Sequence, residues 1–118
     1  MKRFFDAIEQ LDIFPNGLSE ETAAEMERKL SAYMDGILEW NGKVNLTSIT
    51  DRNEFITKHF IDSVMCAGSP EIRSSETIAD VGTGGGFPGV PLAVLFPEKR
   101  FILIDSLAKR LKIIRHLS

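Results

Sequence analysis

Residues 77–91 read TIADVGTGGGFPGVP, a short apolar strand that runs straight into a glycine-rich loop. Four of the five positions from 82 to 86 are glycine. Each glycine costs backbone entropy on folding, so a cluster this dense is hard to justify by turn geometry alone and points to main chain brought close to a ligand. The segment after the loop narrows the fold class to α/β. An apolar stretch from about Pro88 to Phe96 reads as a helix, PEKR as a turn, FILID as a second strand and SLAKRLKIIRHL as a basic helix. Strand, helix, strand, helix is the opening of a βαβ unit, whose strands are expected to be parallel and joined by a right-handed crossover. Ligands of such sheets sit at the carboxyl ends of the strands, where both the loop and Asp105 fall.

Three ligands compete for the loop. A phosphate-binding P-loop needs GxxxxGK followed by Ser or Thr, and this loop has no lysine before Lys99. The dinucleotide fingerprint GxGxxG is met by Gly84, Gly86 and Gly89, with Asp105 at the distance of a ribose-binding acid. Two residues oppose an NAD-type ligand: Pro88 removes an amide N–H from the helix start, and Asp80 sets a carboxylate where a diphosphate would lie. S-adenosylmethionine fits both, because it has ribose hydroxyls, no phosphate, and a sulfonium and an ammonium. On this reading Asp80 sits near the cationic methionine end, the backbone of Gly82, Gly84 and Gly86 packs against it, and Asp105 accepts from the ribose. The competing readings are a tight strand-to-helix turn for the glycines and a helix N-terminal acid beside a Ser106 cap for Asp105.

Residues 1–70 read as a helical N-terminal extension and 71–118 as the start of the ligand-binding domain. KRFFDAIEQLDI places Phe4, Phe5, Ile8 and Leu11 on one helical face, and FPNG breaks it. Ser19 caps a second helix, with Glu20 and Glu21 in its first turn, a stripe of Met26, Leu30, Tyr33 and Ile37, and a stop at Asn41-Gly42. A further capped start at Thr50 or Asp51 leads into EFITKHFIDSVMCA as helix, and GSPEIRSSE reads as a loop. Cys66, the only cysteine, lies in an apolar run and is expected to be a buried, inert thiol. MKRFFDAIEQ lacks the apolar region of a signal peptide, and the longest apolar stretch holds an aspartate, five glycines and two prolines, against a membrane span. A cytoplasmic protein is expected.

A net charge of -3 hides a gradient. Residues 1–40 carry 4 cations and 9 anions, whereas residues 99–118 carry 6 and 1. That asymmetry points to an anionic partner for the tail, against the alternative of a solvated helix face. Lys109, Arg110, Lys112 and Arg115, with His116, are the candidate phosphate contacts, while Leu107, Leu111 and Ile114 are expected to face the sheet.

WNGKVNLTSIT, KHFIDSV, DVGTGGGFPGVPLAVLFP and LIDSLAKRLKII, in this order and spacing, resemble the RsmG family, also called GidB, of bacterial ribosomal RNA methyltransferases. The resemblance implies a Rossmann-like class I methyltransferase fold behind a helical extension, S-adenosylmethionine as donor, and guanine N7 of 16S rRNA, in the small ribosomal subunit, as acceptor. Gly82 and Phe87 match cofactor positions of the family. Other cofactor positions lie after a third strand that this sequence does not contain, so a truncated form is expected, a fragment or a chain whose bare sheet edges are completed by self-association.

Within KHFIDS, helical spacing places His59, Asp62 and Ser63 on one face. That geometry spreads the groups apart, so a cleft-lining or structural role is expected in place of a proton relay. Methylation of guanine N7, a lone pair without a proton, needs alignment more than proton transfer, so no catalytic residue is assigned. A non-enzymatic RNA- or protein-binding module is the alternative in a different class.

Overall fold

The computed structural model describes residues 1–117. In chain order it forms α1 (Lys2–Gln10), α2 (Glu20–Trp40), α3 (Arg52–Phe55), a π-helical segment (Ile56–Ile61), α4 (Asp62–Cys66), α5 (Pro70–Ser74), β1 (Thr77–Val81), α6 (Gly89–Leu95), β2 (Arg100–Ile104) and α7 (Ala108–Leu117). A helical N-terminal region is thus followed by β-α elements consistent with a Rossmann-like arrangement. No helix among the described residues is long and apolar enough to cross a membrane.

Local chemistry sets the helix starts. Ser19 Oγ accepts the Thr22 N–H at 3.1 Å, and Asp51 Oδ2 accepts the Glu54 N–H at 2.9 Å, each satisfying a donor left over by the first turn. Glu20 and Glu21 occupy the first turn of α2, as expected. That helix stops after Trp40, but not through a left-handed cap: Asn41 keeps right-handed helical dihedrals. Its side-chain oxygen instead accepts the N–H groups of Leu46 and Thr47, at 2.9 and 3.0 Å, and turns the chain.

Four expectations are corrected. The expected helix from Glu54 to Ala67 contains the π-helical segment, which widens the turn that carries His59. The expected loop after Gly68 includes α5, with Pro70 in its first turn, where the lost N–H has no helical acceptor. Cys66 is exposed, since it lies on the outer side of the last turn of α4. Leu107 is 48% exposed, because α7 begins after it, at Ala108. Ile113 and Ile114 are the buried residues of α7, and Leu111 is half-buried.

The core lies mainly in the helical region. Phe4, Leu30, Ile37, Phe55, Phe60 and Val64 are all 0% exposed, and burying each such side chain contributes about 1.5–3 kcal/mol relative to leaving it in water. Phe4 and Ile8 are the buried residues of α1, with Phe5 and Leu11 half-buried beside them. Arg73 ties two helix ends together, donating to the carbonyls of Ala67 at 2.9 Å and Leu11 at 2.7 Å. β1 and β2 pair in parallel, with Thr77 opposite Arg100 and Val81 opposite Ile104. Ile78, Phe101 and Leu103 are half-buried, whereas Val81, Ile102 and Ile104 on the other face are exposed.

Candidate cofactor site at the strand ends

The glycine loop leaves β1 at its carboxyl end beside the end of β2, and Ile104 at that end holds it. The Ile104 carbonyl accepts the N–H groups of both Gly82 and Thr83, at 2.7 and 3.0 Å. Further on, Gly86 and Phe87 donate to the Thr83 carbonyl, at 2.9 and 3.1 Å. Gly84 donates to Asp105 Oδ2 at 2.8 Å. Most of the loop's amides therefore point at acceptors of the protein itself. Gly82, Gly84 and Gly86 adopt positive φ, at 71°, 56° and 95°, which a residue with a Cβ takes only at a cost.

The two strand-end carboxylates do different work. Asp80 Oδ2 accepts the Thr83 hydroxyl at 2.6 Å and the Gly89 N–H at 3.0 Å. It caps the first turn of α6 and braces the loop across its base. Asp105, with a side chain only 3% exposed, is held between the loop and the start of α7. Its Oδ1 accepts the Leu107 N–H at 2.9 Å, an Asx turn just ahead of α7 that fits the competing reading of Asp105 as a helix N-terminal acid. Arg110 approaches the same oxygen at 3.4 Å. The Leu107 N–H first, then the Gly84 N–H and the Arg110 guanidinium, hold this carboxyl below its ordinary range.

The expected ligand residues thus separate into groups. Asp80, Gly82, Gly84 and Asp105 converge on the strand ends. Gly86 lies on the far side of the loop, against Tyr33. Phe87 turns its ring into the helical region, where it stacks flat on His59, at 4.1 Å between centroids and 6° between planes. Among the candidate RNA contacts, Arg110 is engaged with Asp105 and with the Asn45 carbonyl, at 3.2 Å. Lys109, Lys112 and Arg115 are exposed and form no ion pair among the described residues. A groove of about 580 Å³ between α2, α6, β2 and α7 is lined by Arg28, Val90, Phe101 and Leu103 among others, and presents no carboxylate.

Two contacts from the helical region were not anticipated. Tyr33 donates its hydroxyl to the Gly85 carbonyl at 2.8 Å, and burial pushes its pKa up. A tyrosine on a buried stripe needs an acceptor for its hydroxyl, so the need was visible in the sequence although the partner was not. His59 Nε2 lies 2.7 Å from Thr47 Oγ1. Burial lowers the His59 pKa, with Asp62 opposing.

The space around the loop separates the ligand classes. A Cβ built at Gly82 or Gly84 meets nothing within 4 Å, so this half of the loop borders open space with carboxylates on its flanks. A pyrophosphate needs free amides at a helix start. Here Gly89 N–H is already capped by Asp80, and the amides of Gly82, Thr83, Gly84, Gly86 and Phe87 are also used. Residues 26–118 match the family model described as "GidB: rRNA small subunit methyltransferase G". The chain belongs to the GidB family. Its GidB relatives include proteins named ribosomal RNA small subunit methyltransferase G from Alkaliphilus metalliredigens, 47% identical over 77% of this chain and 38% of the relative, and Desulfitobacterium hafniense, 49% identical over 80% and 38%. The Bacillus subtilis protein of the same name is 40% identical over 92% of this chain and 46% of its own length. The chain thus spans less than half the length of these GidB proteins.

Proposed function

We propose that this chain is the cofactor-binding part of an S-adenosylmethionine-dependent methyltransferase acting on guanine N7 of 16S rRNA, with residues 1–70 as helical extension and 71–118 as the beginning of a class I methyltransferase domain. The observation that carries this reading is the pairing of internally satisfied loop amides with two carboxylates at the strand ends. Such a cleft suits hydroxyls and positive charge and is poorly suited to a pyrophosphate. The residues suit the cofactor: Gly82 and Gly84 leave space for it, Asp80 places negative charge at the base of the loop, and Asp105, only 3% exposed with both oxygens engaged, acts through the Gly84 N–H that it holds and not as a direct acceptor for the ribose.

When bound, S-adenosylmethionine supplies an electrophilic methyl group. The chain's own part is alignment. The open half of the loop, Gly82 to Gly84, would hold the donor with Phe87 anchoring the loop behind it, while Lys109, Lys112 and Arg115 would supply phosphate contacts that weaken with salt. Arg110 holds Asp105 and the Asn45 carbonyl in place, and is a brace more than a phosphate contact. Guanine N7 has no proton to remove, so no residue is given the part of a base. A ribosomal RNA substrate would place the protein in the cytoplasm.

Calorimetry on this chain and on a full-length version, extended to the length of its GidB relatives, with S-adenosylmethionine and with NAD, tests the cofactor. Binding of the former alone by the full-length protein is expected, and binding of NAD alone would overturn the reading. Methyl transfer to small ribosomal subunits that lack the modification, with the methylated nucleoside mapped, tests the acceptor.

A further inference from the structure

We propose that His59, held by Thr47, is a positioning residue that sets the open half of the glycine loop for the cofactor by gripping the ring of Phe87; this rests on the S-adenosylmethionine reading of the site. A loop with four glycines in five positions has little stiffness of its own. Between residues 82 and 89 the only bulky aromatic side chain is Phe87, so its ring is the natural handle by which the helical region can fix the loop.

The ring is held from several directions. Phe55 meets it edge-on at 5.4 Å and 78°, Tyr33 at 6.1 Å and 80°, and Phe60 lies tilted at 6.1 Å. Only His59 lies parallel to it. The edge contacts hold the ring's position, and the stacked imidazole, itself hydrogen-bonded, also sets its plane. Thr47 supplies that bond, and it is anchored in turn: its N–H donates to Asn41 Oδ1 at 3.0 Å, and its Oγ1 accepts the Ile49 N–H at 3.1 Å. At 9% exposed, Thr47 is a buried polar residue whose hydroxyl is committed to this arrangement. A continuous path therefore runs from the end of α2 through Asn41, Thr47, His59 and Phe87 to the loop. Phe87 N–H then donates to the Thr83 carbonyl, next to Gly82 and Gly84.

The test uses Thr47→Val, which keeps volume and removes the bond, Thr47→Ser, which keeps the bond, and His59→Phe, which keeps a stacking ring without an anchor. In the full-length version Thr47→Val and His59→Phe are each expected to raise Kd and KM for S-adenosylmethionine about tenfold, with kcat at saturating cofactor within about twofold. Thr47→Ser is expected to restore affinity to within about twofold, and Thr47→Val placed on His59→Phe to add nothing further. In the ligand-free protein, amide exchange at Gly84 is expected to accelerate in Thr47→Val while exchange at Leu30 in α2 does not. Unchanged exchange at Gly84, or additive losses in the double variant, would overturn the positioning role. A wild-type protein that binds no S-adenosylmethionine would overturn the cofactor reading instead, and the exchange result would then show whether the grip on the loop exists without it.

Discussion

The two halves of the glycine loop use the same residue for opposite reasons. From Gly82 to Gly84 the backbone is left-handed at both glycines and borders open space. From Gly85 to Gly89 it is pressed against the rest of the protein. A Cβ at Gly85 would lie 2.9 Å from the Leu46 carbonyl oxygen, one at Gly86 would collide with the Tyr33 hydroxyl, and one at Gly89 with Leu103. The first half needs glycine for its backbone conformation and leaves its surface open. The second half needs glycine for want of room, and at Gly86 for its positive φ as well. Anchor and cradle are therefore neighbours in sequence, joined at Thr83, whose carbonyl and hydroxyl both serve the turn.

Substitution on the packed half should have the largest effect. Gly86→Ala combines left-handed strain with a collision against a hydroxyl that is already fixed by its bond to Gly85. A loss of about 2–4 kcal/mol is expected from those two terms together, read as a lower denaturant midpoint with an unchanged slope. Gly84→Ala, by contrast, meets no atom and should lose only about 1–2 kcal/mol from backbone strain. Its cost should fall on the ligand: about a tenfold weaker affinity for S-adenosylmethionine in the full-length protein, as the added methyl enters the cradle. Equal stability losses for the two variants would erase the distinction between the halves.

Much of this division lay outside the sequence pattern. The strand ends, the caps at Ser19 and Asp51, and the crowding of glycines were legible because each depends on residues within a few positions. The sign of charge at Asp80 and Asp105 was legible too, but not what the carboxylates hold, since Gly89 lies nine residues from Asp80 and Gly84 twenty-one from Asp105. The grip on the packed half was hidden for two physical reasons. Tyr33 and Gly85 are 52 residues apart, and His59 meets both Thr47, twelve residues earlier, and the Phe87 ring across the fold. Arg110 misled for a related reason: a cation in a basic run reads as a phosphate contact until the main chain of Asn45 is seen to approach it.

Acid should release the two halves in sequence. His59, beside the packed half, has a pKa lowered by burial from 6.5, so its neutral form stabilises the fold fully above that value, and the contribution is lost as pH falls through the lower folded value. Asp105, beside the open half, is lowered from 3.8 by the Leu107 and Gly84 amides. Its contribution persists above 3.8 and is lost only as pH falls further. The pH dependence of unfolding midpoints for the wild type, His59→Phe and Asp105→Asn would show this. The His59→Phe profile should part from the wild type below about pH 6.5, and the Asp105→Asn difference should hold until below about pH 4. The reverse order would mean that the electrostatic assignments of the two halves are interchanged.

The smallest effect comes from a glycine with the backbone of the cradle and none of its setting. Gly17 also has positive φ, at 79°, and a Cβ there likewise meets nothing within 4 Å, but it lies in the turn after α1, where its N–H donates to the Phe14 carbonyl at 2.8 Å. Gly17→Ala should cost about 1 kcal/mol, the penalty of a left-handed alanine, and leave S-adenosylmethionine affinity unchanged within error. Paired with Gly84→Ala it separates strain from occupancy: similar stability losses with affinity lost only at Gly84 would locate the ligand against the open half. Matched affinity losses at both positions would mean that the cradle responds to global destabilisation, and the open space beside Gly84 would then have no special claim on the cofactor.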